Sequence, residues 1–123
     1  MIKDLLLVGL GGGLGSMLRF LTSRLSARFI SSDWALAGTF IANIVGCFLI
    51  GLLAGWLLPN IGKSQTLPLL LVTGFCGGYT TFSAFAFENV QLWQSGHTFI
   101  AILYIFLSIS VGLFAVWGGM KLN

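Results

Sequence analysis

Charge is scarce in this sequence. Its 123 residues include six Lys or Arg, three Asp or Glu and one His, so only 7% are charged. A soluble domain carries about 25%, and this chain has no comparable polar coat to present to water. Cysteine and proline are also rare, at two each. Neither Cys47 nor Cys76 has a Cys or His at metal-ligand spacing, and both lie in apolar stretches, where a free thiol serves as a small hydrophobe. His97 has no nucleophile or carboxylate close by in sequence, and no catalytic constellation emerges anywhere in the chain. With 57% hydrophobic residues and a mean hydropathy of +1.00, the composition excludes a soluble enzyme, a nucleic-acid binder and a disordered chain together. It describes a membrane protein.

The charges mark out the spans. Uncharged runs of 29, 24 and 32 residues separate Asp33, Lys63, Glu88 and Lys121, and about 20 apolar residues cross a bilayer. The pattern predicts four helices, near residues 3–25, 34–58, 66–94 and 98–120, forming one transmembrane domain over residues 1–123. Only Arg19 and Glu88 interrupt spans. Ser31, Ser32 and Asp33 are candidate caps for the second helix. Pro59 to Gln65 is the clearest break, and Gln94 to His97 makes a short turn. Trp34, Trp56, Trp93 and Trp117 fall near span ends, as in an interfacial aromatic belt. A cleaved signal peptide is the rival reading of the N-terminus, but its apolar run passes Leu18 without a small-residue cleavage pattern.

Positive charge is nearly balanced across the membrane. Four spans put Lys3, Lys63 and Lys121 on one side, and Arg24 and Arg28 on the other, joined by Arg19 if it reaches the surface. The bias that normally fixes orientation is almost absent, which leaves both single and dual orientation open. Dual orientation would permit an antiparallel homodimer. Glycine, by contrast, is plentiful: 17 residues, about twice the usual share of ~7%. Gly11/Gly15, Gly51/Gly55 and Gly74/Gly78 have the spacing that lets helix backbones approach closely. Four helices alone offer little interior to Arg19, Glu88 and Asn43, and a dimer would supply more.

Two nucleotide-like motifs fail on context. Gly9 to Gly15 has the glycine density of a dinucleotide loop but lies inside an apolar helix rather than after a strand. Gly62-Lys63-Ser64 resembles the end of a phosphate loop, yet the first glycine of that motif would fall at Leu57.

Polar groups at membrane depth are functional candidates by default, and they concentrate in residues 73–89. Gly77-Gly78 followed by Thr80-Thr81 predicts a break in the third helix, because each glycine lowers helix stability by about 1 kcal/mol. Exposed backbone at that depth survives only inside protein or beside a water-filled cavity. Its carbonyls can hold a cation and its N–H groups an anion. Phe82 and Phe85 share a helical face. Packing is their ordinary role, but electropositive ring edges amid polar neighbours suit a small anion. Thr39 and Asn43 share a face of the second helix, and Tyr104 and Ser108 a face of the fourth. Each pair reads either as interhelical hydrogen bonding or as part of a polar track.

At these residues the sequence resembles the CrcB, or Fluc, family of small bacterial fluoride channels. GGGLGSMLRF (11–20), GTFIANIVGCFLIG (38–51) and above all GFCGGYTTFSAF (74–85), followed by Glu88, carry the likeness. The resemblance implies an all-α membrane protein with a broken third helix. It also implies an antiparallel, dual-topology homodimer in the bacterial inner membrane that exports fluoride passively through two pores shared between subunits. By that resemblance Asn43, Phe82 and Phe85 face fluoride, and Ser83, Glu88 and Tyr104 line the path. Thr39, Thr81 and Ser108 extend the polar track, while Arg19 stands near the anion entrance. Backbone carbonyls of Gly77 and Thr80 from both copies would hold a central structural sodium ion. Ala84 departs from the family pattern, in which threonine is common, and so removes one hydroxyl.

The physical logic agrees. A pore must replace fluoride's water with close donors yet still let the ion leave, so neutral donors and ring edges suit it better than a fixed cation at the narrowest point. The alternative is a proton-coupled exporter like the small multidrug transporters. Those use a carboxylate in the first helix, whereas here that helix holds Arg19 at depth and the intramembrane carboxylate is Glu88.

Overall fold

The computed structural model describes residues 1–30, 35–60 and 62–123. All regular structure among them is helical. Helix α1 spans Ile2–Phe29 and α2 spans Leu36–Leu57, with a 3-10 turn at Leu58–Asn60. The third span begins as a π-helical stretch, Pro68–Cys76, and continues through one α turn, Gly77–Tyr79; together these form α3. Helix α4 is Phe82–Gln94 and α5 is Thr98–Lys121. Among the described residues, four stretches are long and apolar enough to cross a membrane, the third being Pro68–Gln94.

Helix α1 runs past its expected end at residue 25. Arginine is a good helix former, and Arg28 in the last turn complements the negative end of the helix dipole, so the polar stretch prolongs the helix. The candidate caps Ser31, Ser32 and Asp33, and Trp34, lie outside the described residues. Trp56, Trp93 and Trp117 are exposed near helix ends, where an interfacial belt places them.

Small hydrogen-bonded devices set the connections. Ser64 Oγ accepts the Thr66 N–H at 3.2 Å and starts the third span. Helix α4 ends in a Schellman motif: His97 N–H donates to Leu92 O at 2.8 Å and Gly96 N–H to Trp93 O at 3.1 Å. That geometry needs the positive φ of Gly96, +83°, which glycine adopts without steric cost.

Glycines set the packing within the chain. A Cβ at Gly11 would lie 2.1 Å from Leu70 O, and one at Gly78 would lie 2.3 Å from Gly12 O. The backbones of α1 and α3 therefore touch. The same holds between α2 and α5, where a Cβ at Gly51 would meet Val116 O at 2.2 Å and one at Gly119 would meet Phe48 O at 2.5 Å. Helix α4 packs against α5 and α2 around Leu92, Ala101 and Tyr104. Much of the remaining apolar surface, including Leu10, Phe106 and Phe114, is exposed, as suits a chain surrounded by lipid.

Candidate functional site

The glycine pair does not interrupt the third span. Gly77 and Gly78 are helical, and Gly78 is where α3 meets α1. Helical geometry stops two residues later: Thr80 (φ −85°, ψ 157°) and Thr81 (φ −151°, ψ 122°) are extended, and α4 starts at Phe82. The backbone around these residues is well partnered. Thr80 N–H and Oγ1 both donate to Cys76 O, at 3.0 and 2.9 Å. Thr81 Oγ1 accepts the Ala84 N–H at 3.2 Å, capping α4. Thr81 Oγ1 also lies 3.3 Å from Ser83 Oγ.

Asn43, two turns into α2, serves the extended residue directly. Its Nδ2 donates to Thr81 O at 3.1 Å, and its Oδ1 accepts the Thr81 N–H at 2.7 Å. Asn43 and Thr81 line a cavity of about 340 Å³ together with Thr80, Phe82, Phe85 and Ser108. Ser108 Oγ is buried with no hydrogen-bond partner among the described residues. The Phe82 and Phe85 rings are 6.0 Å apart and tilted by 46°. Phe82 is 80% exposed, whereas Phe85 presents its ring to Tyr104 in an edge contact at 5.1 Å.

Beyond Phe85 lies a buried polar knot. Thr39 Oγ1 donates to Glu88 Oε2 at 2.9 Å, and Tyr104 OH donates to Glu88 Oε1 at 3.3 Å. One carboxyl group thus joins α2, α4 and α5. Ser108, Asn43 and the two phenylalanines share the cavity lining, and the Phe85–Tyr104 contact leads on from this seam to the Glu88 hydrogen bonds.

Arg19 lies elsewhere. Its Nε donates to Gly78 O at 3.1 Å, so the guanidinium sits between α1 and α3, beside the start of the extended residues and outside the cavity lining. Gly77 is exposed and also outside that lining.

Three residues beyond the expected set join the site. Thr22 shares a hydrogen bond of 2.9 Å with Tyr79 OH, on the helix face of Arg19 three residues earlier. Cys47 lines the cavity one turn beyond Asn43, a position that its four-residue spacing could have revealed. Asn89 Nδ2 donates to Phe85 O at 2.8 Å, four residues back, while its Oδ1 is buried without a partner among the described residues.

The fold and these polar groups at depth define a small multi-pass membrane protein. The profile described as "CrcB-like protein, Camphor Resistance (CrcB)" matches residues 6–120. The chain belongs to this family. It is 49% identical over 119 residues to a protein of Flavobacterium psychrophilum named fluoride-specific ion channel FluC, covering 97% of this chain and 95% of that one. Proteins of the same name in Azobacteroides pseudotrichonymphae and Rhizobium meliloti are 46% and 40% identical, covering 100% and 98% of this chain and 98% and 96% of theirs.

Proposed function

We infer that the chain is a fluoride channel that lets the ion leave the cell passively across the inner membrane. The observation that carries this reading is the seam running from Ser108 and Asn43, past Phe82 and Phe85, to Tyr104 and Glu88 in a relative of proteins named as fluoride channels. The positive end of the α4 dipole faces the cavity, where it favours an anion. Ring edges, hydroxyls and a carboxamide then stabilise fluoride without a full charge, so the ion is not trapped.

In this reading the third helix is a broken one, and two copies assemble antiparallel with both insertion orientations used. The exposed Phe82 ring supports this, since a second copy would cover it. Charge balance supports the dual orientation. Gly77 and Thr80 fit a sodium ion between the copies. Both carbonyls are hard oxygen donors, and Thr80 is extended. The Thr81 N–H that would pair with Gly77 O in a continuous helix is given to Asn43 instead. Such an ion supplies a fixed positive charge at the centre. Arg19 adds positive charge beside the same segment and serves as the anion entrance.

The exporter alternative gains nothing from the geometry. Thr39 and Tyr104 occupy both oxygens of Glu88, and Asp4 is exposed at the end of α1. Fluoride efflux from liposomes containing the purified protein tests the assignment. Fluoride flux well above chloride flux is expected, and robust chloride flux without fluoride flux overturns it.

A further inference from the structure

The polar seam does not end at Glu88. Phe85, Glu88 and Leu92 on α4, and Ser95 at its C-cap, recur at three- and four-residue intervals. A cleft of about 530 Å³ opens between the last turns of α4 and the start of α2, and Glu88 lines it along with Gln91, Gln94 and Ser95. His97 borders the same cleft, its Nδ1 lying 2.9 Å from Ser95 Oγ. Among the described lining residues none is Lys or Arg.

We propose that this cleft is the outer mouth of the fluoride pathway, with the Gln91 and Gln94 carboxamides steadying the anion as it exchanges the protein's donors for water. The proposal rests on the fluoride-channel reading. At ~30 Å³ per water, the space takes on the order of ten waters, enough to rebuild the shell of a strongly hydrated ion. Each carboxamide offers two N–H donors and no charge, so the ion is held without being retained. Glu88 Oε1 and Oε2 are both engaged with hydroxyl donors, which moderates the one carboxyl group among the described lining residues.

The test uses Gln91→Cys and Gln94→Cys, each labelled to completion in detergent with a sulfonate-bearing or a trimethylammonium-bearing methanethiosulfonate and then reconstituted for fluoride efflux. Labelled wild type reports any contribution from Cys47 and Cys76, and Gln65→Cys, on the exposed connection before the third span, controls for label alone. A fixed anion at the mouth should cut fluoride efflux about tenfold relative to the cationic label on the same cysteine. Equal effects of the two labels at both positions, or no effect of either, would overturn the mouth while leaving a conducting wild type intact. A wild type that passes no fluoride would instead overturn the channel reading and the mouth with it.

Discussion

Asn43 and Thr81 close a ring of two hydrogen bonds, Nδ2 to Thr81 O at 3.1 Å and Thr81 N–H to Oδ1 at 2.7 Å. One side chain from α2 thereby gives the Thr81 N–H the acceptor that a continuous third helix would have supplied from Gly77 O, and adds a second donor to Thr81 O, which as the N-cap carbonyl also opens α4. This makes Asn43 a structural clamp on the same residues that line the cavity.

Asn43→Leu removes both partners. Each lost hydrogen bond costs about 1 kcal/mol, and more where a buried backbone group is left unpaired. We expect the variant to lose about 2–4 kcal/mol in thermal or steric-trapping measurements and most of its fluoride efflux. Asn43→Asp keeps an acceptor for the Thr81 N–H but removes the side-chain donor to Thr81 O and places an anionic group beside the path. Its flux should fall more steeply than its stability. Wild-type flux in either variant would refute the clamp's part in conduction.

The two phenylalanines separate stability from transport. Phe85 meets Tyr104 edge-on at 5.1 Å, an arrangement worth about 0.5–1.5 kcal/mol beyond its buried area. Phe82 is 80% exposed within one chain. Phe85→Ile should therefore destabilise the single chain measurably and Phe82→Ile hardly at all, while both sharply reduce fluoride efflux because isoleucine has no electropositive edge. Gel filtration should find assembly intact in both. Undiminished fluoride flux in the pair would exclude a ring-edge role.

Glu88 accepts from Thr39 at 2.9 Å and from Tyr104 at 3.3 Å. Glu88→Gln preserves the shape and, after the hydroxyls rotate, two hydrogen bonds. Glu88→Leu strands both hydroxyls in a buried site at about 1–3 kcal/mol each. If the group serves the seam by hydrogen bonding, Glu88→Gln stays close to wild type in stability and retains fluoride efflux, whereas Glu88→Leu loses both. Glu88→Gln as inactive as Glu88→Leu would show that the carboxyl group itself is required.

Much of this was legible in the sequence because membranes impose simple rules. Long uncharged runs located the spans, and polar groups at depth picked out Thr39, Glu88 and Tyr104, which share hydrogen bonds, and Asn43, which bonds Thr81. Within the expected Gly77-to-Thr81 segment the backbone leaves helical geometry at the threonines and not at the glycines. Intrinsic propensity penalises glycine in a helix, but Gly78 packs directly on α1 within a helical turn, and the Asn43 clamp holds the extended Thr81. The π winding of Pro68–Cys76 left no trace, since a stretch whose one hydroxyl is that of Thr73 has too few polar residues to reveal its period. Arg19 was visible as a charge at depth, but its partner, the Gly78 carbonyl, carries no sequence signal at all.

Glycine substitutions distinguish packing within a chain from packing between copies. A Cβ at Gly15 would lie 2.2 Å from Phe75 O and one at Gly78 would lie 2.3 Å from Gly12 O, whereas one at Gly13 meets nothing within 4 Å. Gly15→Ala and Gly78→Ala must push α1 and α3 apart, costing about 1–3 kcal/mol or more. Gly13→Ala should be neutral, or gain up to about 1 kcal/mol of helix propensity. Gly77 is the informative case. In one chain its Cβ would find only Val72 O, at 3.9 Å, so Gly77→Ala leaves the fold of a single copy undisturbed. If two copies meet at this carbonyl, the added methyl sits in their contact and weakens dimerisation, which single-molecule photobleaching in liposomes reads directly. A rise in the monomer fraction with unchanged helix content is expected. A dimer fraction identical to wild type would exclude Gly77 from the contact between copies.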